Sequence, residues 1–421
     1  MKILIVSHLY YPARGGVETH LTRLGSHLVE RGHQVKVLTT RALSTEAFFL
    51  GDKRQVPLST ENYKGVEITR LGWQTFGRRT LNLLRSLACR VKYPFNHWIR
   101  LFSYGPRNPR FVDLIIKSKP EVIIAAPLPM MTVYYAWKAA RKIRIPLIIN
   151  PAYHINDPCS YNNPLFFQIM RQANLVAVHT QAEKEFLATI GNIPLPKIQV
   201  FPPLPFTQDE LNRPKSPLPK PKLRQKHGLE GKYVVLFVGQ HGRHKNIDLI
   251  LKAMPYVWKI EPETTLVIAG GTTAYTPYLK QLATSLASAG GSNFLPKIKF
   301  FDNFPPEQKD EIFSLADIFI SLSEFESFGI VFAEAMLYRL PVIASSFSIA
   351  RSIVDDFRTG LLINPHCDLE VAGAILELLE DEKIRKAYGQ AGYEKVIREF
   401  SAGHIIKKWE ETLPQLRSKD N

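Results

Sequence analysis

Two glutamates, Glu326 and Glu334, stand eight positions apart where a strand pattern gives way to a helix pattern. Asp317 to Leu322 is typical of a buried strand, Gly329 interrupts the pattern, and an apolar helix is predicted from Ile330. The first amides of a helix lack intrahelical acceptors and lie at the positive end of its dipole, which favours phosphate. We therefore predict that a pyrophosphate binds at this helix start, with Glu334 accepting ribose hydroxyls and Glu326 the hydroxyls of a second sugar.

The same residues have a purely structural interpretation, in which Glu326 is a solvated loop charge and Glu334 is favoured by the helix dipole. The stretch Glu326, Phe328, Gly329, Glu334, Ala335 also resembles the Glu-x7-Glu motif of the retaining glycosyltransferases of family 4. The resemblance extends over essentially the whole chain and is strongest from 233 to 362. This resemblance favours the nucleotide-sugar interpretation over the structural one.

The resemblance implies an α/β fold of the GT-B type, with two Rossmann-like doubly wound parallel-sheet domains facing across a cleft. It implies a retaining hexosyltransferase that moves a sugar from a UDP- or GDP-sugar to a hydroxyl acceptor. The catalytic residues expected on this basis are Glu326, Lys245 and His154. The donor-binding residues expected are Arg243, Phe328, Gly329, Ile330 and Glu334.

Composition agrees with an enzyme of two domains. The 421 residues are 45% apolar and 22% charged, enough for two cores at roughly 100–200 residues each. Cys89, Cys159 and Cys367 are widely spaced and suggest neither a disulfide framework nor a zinc site, so we predict a reducing cytoplasmic location. No apolar run approaches the length of a membrane span, and the N-terminus is typical of a first strand, not a signal peptide.

Short aliphatic runs alternate with helical patterns in two sets, which predicts two parallel sheets covered on both faces. The predicted strands are 3–6, 35–38, 122–125, 147–150, 175–179 and 198–201, then 233–238, 266–269, 298–301, 318–322, 342–344 and 361–363. Prolines crowd between the sets, so we predict domains at 1–205 and 229–400 joined by a linker at 206–228. A C-terminal helix at about 402–417 is expected to pack on the first domain.

A glycine pair, Gly15 and Gly16, follows the first strand and opens a helix. Glycines at such a turn let backbone amides approach a phosphate, although a purely structural turn has the same sequence. The dinucleotide fingerprint is absent, because the second predicted strand ends in Thr39, Thr40 and Arg41 without an acidic residue. By resemblance to the family's G-G-x-E opening, Gly15 and Gly16 are predicted to lie beside the donor diphosphate and the acceptor.

A second strand-to-helix loop carries Arg243 and Lys245, cations that could neutralise a departing diphosphate. Its other interpretation is a solvated basic loop. The chain contains no Asp-x-Asp and no His/Cys cluster with ligand spacing, so we predict catalysis without a metal or other cofactor. The family usually has arginine directly after the glycine, where this chain has Gln240, and a non-catalytic nucleotide-sugar sensor is therefore kept as an alternative.

His154 follows the end of a strand, where an imidazole could contact a sugar hydroxyl or assist the acceptor. The resemblance supports this role, because family members often carry an active-site histidine in this loop. The family's Gly-Gly-x-Pro-Glu is replaced here by Ser348 to Ser352, which affects the identity of the sugar more than the class of reaction.

The net charge of +16 includes a segment, 73–110, in which cations alternate with aromatic and aliphatic residues. This composition predicts contact with an anionic membrane and a lipid-linked or polysaccharide-precursor acceptor, with an ordinary amphipathic helix pair as the alternative. A nucleic-acid-binding function would use the same charge, yet no recognition helix or zinc spacing is found. The cations of the segment are Arg78, Arg79, Arg85, Arg90, Lys92, Arg100, Arg107 and Arg110.

Overall fold

The fold is described from a computed structural model, which covers residues 1–13, 15–49, 54–74, 80, 83–84, 87, 96–204, 206, 210–211, 218–229, 233–289, 297–326 and 328–417. The chain divides into two compact units. Unit 1 comprises Met1–Pro205 with Ala402–Asn421, and unit 2 comprises Phe206–Ser401.

Unit 1 is built on one sheet, whose strand order over the described residues is β3-β4-β2-β1-β5-β6-β7-β8. Every pairing in it is parallel except the β3–β4 hairpin. Strand order reverses at β1, so the carboxyl end of β1 is the position at which such sheets bind ligands. The strands are β1 (Lys2–Val6), β2 (Gln34–Thr40), β3 (Thr60–Tyr63), β4 (Val66–Leu71), β5 (Val122–Ala125), β6 (Leu147–Ile149), β7 (Leu175–Val178) and β8 (Ile198–Val200).

Helices cover this sheet, and the described ones bury apolar residues against it. The last helix returns to unit 1, where Trp409 is buried with its ring 4.4 Å from that of Phe201. The helices are α1 (Gly16–Glu30), α2 (Glu46–Phe49), α3 (Asn96–Tyr104), α4 (Arg110–Lys117), α5 (Met131–Ile143), α6 (Pro158–Tyr161), α7 (Pro164–Gln172), α8 (Gln181–Thr189) and the C-terminal α16 (Ala402–Arg417).

Unit 2 contains a wholly parallel sheet of order β11-β10-β9-β12-β13-β14. Its order reverses at β9, which makes the end of β9 the corresponding ligand position. The strands are β9 (Tyr233–Val238), β10 (Thr264–Gly270), β11 (Ile298–Asp302), β12 (Ile318–Ser321), β13 (Val342–Ser345) and β14 (Gly360–Ile363). The helices are α9 (Lys220–Lys226), α10 (Ile247–Ile260), α11 (Thr276–Ala289), α12 (Lys309–Leu315), α13 (Ile330–Leu337), α14 (Asp368–Glu380) and α15 (Glu382–Glu399).

The α/β class and each predicted strand are confirmed, because buried parallel strands are continuous aliphatic runs. The β3–β4 hairpin was missed, since its strands alternate polar and apolar residues and lie beside a charged turn. That turn has positive φ at Lys64 and Gly65, a conformation that suits a two-residue hairpin.

Several local expectations differ from the structure. Part of the predicted linker forms α9, which buries Leu223 and whose Arg224 donates to the Leu315 carbonyl at 3.0 Å. Cys159 is disulfide-bonded, contrary to the expectation from cysteine spacing, while Cys367 is free. The spacing of the cysteines along the sequence did not predict this disulfide, because a disulfide requires proximity in space and cysteines far apart in sequence leave no local signature.

The basic segment 73–110 lies partly outside the described residues, including its cations at 78, 79, 85, 90 and 92. Two of its described members are not surface anchors. Arg100 is buried and donates to the Asn162 carbonyl at 2.8 Å, and Leu101 is fully buried. Helix α3 thus presents only part of its circumference to solvent. Within the described ranges, no helix is long and apolar enough to cross a membrane.

Candidate functional site in each unit

The start of α13 is shaped by Gly329, which has φ 82° and ψ 58° in the left-handed region. A Cβ at this position would lie 2.6 Å from the Phe332 ring, so both the conformation and the space favour glycine. Gly329 stands at the N-cap position and has no side chain with which to cap the helix. The N-cap residue therefore leaves the first amides of α13 available to a ligand such as phosphate. Phe328 is buried on the core side, with its ring 5.4 Å from Phe400, while Ile330 is half-buried.

Glu326 forms an ion pair with Lys245, and each side chain is only about 15% exposed. The two residues follow β12 and β9, adjacent parallel strands whose carboxyl ends meet at one edge of the sheet. Asn246, in the left-handed region, donates through Nδ2 to the Leu322 carbonyl at 3.0 Å, and the Ser323 hydroxyl donates to the His244 carbonyl at 3.3 Å. These bonds join the two loops and bring the predicted carboxylate and cation into contact.

Glu334 pairs with Lys309, the first residue of α12. The carboxylate is 13% exposed and the ammonium 37%. Lys309 was missed by sequence reasoning, because nothing local marks a contact between residues 25 positions apart. Both predicted carboxylates of the Glu-x7-Glu stretch thus have a lysine partner.

Arg243 is exposed, and its guanidinium lies 5.2 Å from the centre of the Tyr275 ring. This cation–π contact orients the side chain along the loop after β10. Gln240, in the position where the family usually has arginine, is exposed. Its side chain lies next to Gly271. A Cβ added to Gly271 would lie 3.7 Å from the Gln240 Cγ.

The ends of β9 and β10 approach closely because both carry glycine. A Cβ on Gly270 would lie 1.8 Å from the Gly239 carbonyl oxygen. Beside them His241 is buried, with its Nδ1 3.2 Å from the Thr276 hydroxyl. Asn303 accepts from the Thr272 amide at 3.0 Å and so joins the loops that follow β10 and β11. At the ends of β9, β10 and β11 the sheet edge is therefore lined largely by backbone and small polar groups. Contacts made by backbone leave no side-chain signal in the sequence.

In unit 1, Gly15 and Gly16 are exposed at the start of α1, which has no side-chain cap. The Glu18 carboxylate folds back over this turn, so that a Cβ on Gly15 would lie 2.1 Å from Glu18 Oε2. Burial raises the pKa of Glu18, and His8 Nε2 lies 3.9 Å from the same carboxylate. The glycine loop predicted to lie beside a diphosphate is thus adjacent to an internal acid.

His154 is half-buried on the loop that follows β6, and its ring centre lies 5.0 Å from that of Tyr161. The backbone before it is strongly constrained. The Tyr153 amide donates to Glu183 Oε1 at 2.9 Å, while the other carboxylate oxygen of Glu183 accepts from the His179 amide at 2.6 Å. Glu183 therefore connects the loops that follow β6 and β7. It was missed, although Thr180 and Glu183 form a capping-box pattern at the start of α8.

Three further histidines of unit 1 are buried at the same edge of the sheet. Burial lowers the pKa of His8 to about 3 and that of His20 to about 4, and it lowers the pKa of His179 strongly. His20 accepts from the Leu204 amide at 3.1 Å, and His179 lies 3.1 Å from Asn150 Oδ1. They are neutral polar groups at pH 7. For His8 and His179 the signal in the sequence is a histidine close after a buried strand, whereas His20 lies inside α1.

The predicted unit 2 residues Lys245, Glu326 and Gly329 lie on the loops after β9 and β12, and Glu334 lies in α13 against the start of α12. Arg243 lies on the same loop as Lys245 but contacts Tyr275. His154, Gly15 and Gly16 lie at the carboxyl edge of the unit 1 sheet. Among the described residues no group of three or more His, Cys, Asp or Glu has a geometry suited to a metal ion. Catalysis without a metal stays a prediction.

Replacing Gly329 with Ala tests the helix start. We expect unit 2 to lose about 1–2 kcal/mol, because alanine is disfavoured in the left-handed region and would meet Phe332. The measurement is denaturant unfolding of the full chain. Gly373→Ala is the matched control, since its Cβ would meet nothing within 4 Å inside α14, and it should leave stability equal or higher. Equal effects of the two changes would contradict the assigned role of Gly329.

Replacing Glu183 with Gln tests the buried carboxylate. Burial raises the pKa of Glu183 from 4.5 to about 8, so its protonated form stabilises the fold. That contribution is complete below the unfolded pKa and is lost as pH rises through the folded pKa. The free energy of unfolding of the wild type should therefore fall, relative to Glu183→Gln, by on the order of 1 kcal/mol per pH unit between about pH 5 and 8. Parallel pH profiles of the two proteins would show that Glu183 does not titrate in this way.

Both units of the chain match models of glycosyltransferase families. Residues 14–204 match the model of Glycosyltransferase Family 4, and residues 219–395 match that of Glycosyl transferases group 1. The chain is 30% identical over 184 residues to an alpha-maltose-1-phosphate synthase of Mycolicibacterium smegmatis, covering 42% of this chain and 46% of that protein. It is 29% identical over 260 residues to a D-inositol 3-phosphate glycosyltransferase of Corynebacterium glutamicum, covering 60% and 58%. The matches thus span about half the length of these relatives.

Among solved structures, the Anabaena protein HepE in complex with UDP and glucose superposes with a TM-score of 0.71 at 20% identity, covering 98% of this chain and 99% of that one. A likeness at this identity establishes the fold. The two family models together account for both units. The chain belongs to the family 4, or group 1, glycosyltransferases and has their GT-B fold.

Proposed function

We propose that the protein transfers a sugar from a nucleotide diphosphate sugar to a hydroxyl acceptor. The observation that carries the proposal is the arrangement at α13, where a helix start with glycine at its N-cap lies between two shielded carboxylates, each paired with a lysine. Family membership supports the reaction class. The Anabaena protein of the same fold was solved with UDP and glucose, which supports a UDP-sugar as donor.

The donor pyrophosphate would bind at the start of α13, with Gly329 allowing close approach. Glu334 would accept the hydroxyls of the ribose and Glu326 those of the transferred sugar. In the structure Lys245 already contacts Glu326. A donor whose sugar binds Glu326 would therefore have its diphosphate close to the Lys245 ammonium. Negative charge develops on that diphosphate as the bond to the sugar breaks, and the ammonium would stabilise it.

We further propose that the configuration of the transferred sugar is retained and that no metal takes part. Retention follows from the family resemblance, with the acceptor hydroxyl attacking on the face from which the phosphate leaves. His154, fixed through its neighbour Tyr153, would bind or deprotonate the acceptor. Lys245, together with Arg243, would supply the positive charge that a metal provides elsewhere.

For the acceptor we propose a lipid-linked molecule or a cell-surface polysaccharide precursor, used by an enzyme at a membrane face. The disulfide at Cys159 removes the ground on which a reducing location was predicted. Three leucines of the basic segment support the membrane location. Leu83, Leu84 and Leu87 are 64%, 40% and 51% exposed. Exposed leucines beside cations are typical of surfaces that contact a bilayer.

A non-catalytic nucleotide-sugar sensor is the second candidate, and Gln240 in the arginine position favours it. A sensor would bind the donor without releasing nucleoside diphosphate. Release of UDP or GDP that requires the acceptor would identify an enzyme. A donor that raises the melting temperature of the protein binds to it, and if no such donor is cleaved, the protein is a sensor.

The substitution Glu326→Gln tests the central assignment. Transfer should fall roughly 100-fold or more, because a transition-state contact is lost. The free nucleoside diphosphate should bind at least as tightly, since Lys245 no longer pairs with a charged neighbour. Transfer is measured by nucleoside diphosphate release and binding by calorimetry. Glu311→Gln is the control, because Glu311 is a similarly shielded carboxylate paired with Lys226 and His227 in the same unit. Full turnover by Glu326→Gln would refute the assignment.

Chelation tests the proposed independence from metal. Turnover should be unchanged by EDTA and by added Mg²⁺ or Mn²⁺, whereas Lys245→Met should lower kcat more than it raises the KM for the donor. Recovery of a chelated, inactive enzyme by one divalent ion would instead place a metal at the diphosphate.

A further inference from the structure

A continuous aromatic row lies on α3 and α5 and includes none of the residues assigned above. The Trp98 ring centre lies 6.3 Å from Phe102 and 5.6 Å from Tyr134, and Tyr134 lies 5.6 Å from Trp137. Phe102 is 40% exposed and the other three are half-buried. We call this the α3–α5 face. Its aromatic rings reach the surface without being covered by a described element.

Cations follow the aromatic row along α5. The Arg141 guanidinium lies 5.1 Å from the centre of the Trp137 ring, in a cation–π contact. Neither α3 nor α5 contains an acidic residue. The exposed cations of the face are Lys138, Arg141, Lys142 and Arg144. Such a concentration of one sign of charge is complementary to an anionic partner.

Two adjoining surface hollows, of about 420 and 390 Å³, share Trp137 and Arg141. The described residues that line them include no acid. The Trp137 indole N–H donates to Gln172 Oε1 at 3.0 Å, which fixes the ring between Tyr134 and Arg141. The hollows thus combine an oriented aromatic side chain with guanidinium and ammonium donors, the groups that bind phosphate oxygens.

The α5 end of the face lies at the edge of the sheet opposite to His154. The larger hollow is lined by Leu147, at the start of β6, and by Asn174, just before β7. His154 and Glu183 belong to the loops that follow these same strands at their carboxyl ends. A partner bound at the α5 end would therefore leave His154 uncovered, whereas α3 adjoins the segment after β6 through the bond from Arg100 to the Asn162 carbonyl.

We propose that the α3–α5 face docks on a membrane surface that carries anionic phospholipid. Aromatic rings with polar edges favour the headgroup layer, and lysine and arginine favour anionic lipid, which is the combination found here. A duplex nucleic acid would use the cations but not a row of half-buried aromatic rings. The sequence prediction placed the contact at 73–110, and α3 is the part of that segment that adjoins the new residues on α5. The proposal does not depend on sugar transfer.

The test is flotation of the full-length protein with vesicles of phosphatidylcholine alone or with phosphatidylglycerol added. The wild type should float with the anionic vesicles only, and less so at high salt. The variant Arg141→Glu/Lys142→Glu/Arg144→Glu should lose on the order of 100-fold in partitioning, because each cation near an anionic surface contributes severalfold. Phe102→Ser, at an exposed ring, should weaken binding without abolishing it.

The matched control is Lys222→Glu/Lys383→Glu/Lys386→Glu, which makes the same change of charge at exposed positions of unit 2 and should float nearly as the wild type does. Circular-dichroism melting verifies folding of all variants, and nucleoside diphosphate binding in unit 2 should be unchanged. Equal flotation of the two triple variants, absence of wild-type flotation with both vesicle types, or binding to a DNA duplex in place of vesicles would each overturn the proposal.

Discussion

The organisation of unit 2 depends on one ion pair, Lys245 with Glu326. It joins the loop after β9 to the loop after β12, at the position where the strand order of the sheet reverses. Because both side chains are largely shielded from water, each would be costly to bury alone, and the pair compensates. The bonds from Asn246 and Ser323 orient the two loops, so the charges meet beside the start of α13.

Unit 1 uses a buried carboxylate for a similar purpose. Glu183 accepts backbone amides from two loops that follow adjacent strands, and so constrains the chain directly before His154. In this unit the balancing groups are amides, so the carboxylate remains poorly compensated and burial raises its pKa. The neutral histidines nearby follow the same rule, because a charged imidazole could not be solvated there. Polar groups at the carboxyl edges of both sheets thus define where ligands can bind.

The sequence predicted the parts whose signal is local. Buried parallel strands are continuous aliphatic runs, and Gly329 marks the break before an apolar helix. It did not predict Lys309 beside Glu334 or Glu183 beside Tyr153, because these contacts join residues on different elements. The disulfide at Cys159 and helix α9 were missed for related reasons. Helix α9 follows a proline-rich stretch whose composition obscures one buried leucine, Leu223.

By itself the sequence determined the α/β class, the alternation of strands and helices, and the family to which the motif around Glu326 belongs. These follow from periodicity and from residues close together along the chain, so they do not depend on long-range packing. Only the tertiary structure decided which charges are paired, which histidines are buried, and that Trp98, Tyr134 and Trp137 form one row on two helices. Those properties depend on distances between elements, which parallel sheet order and helix packing set.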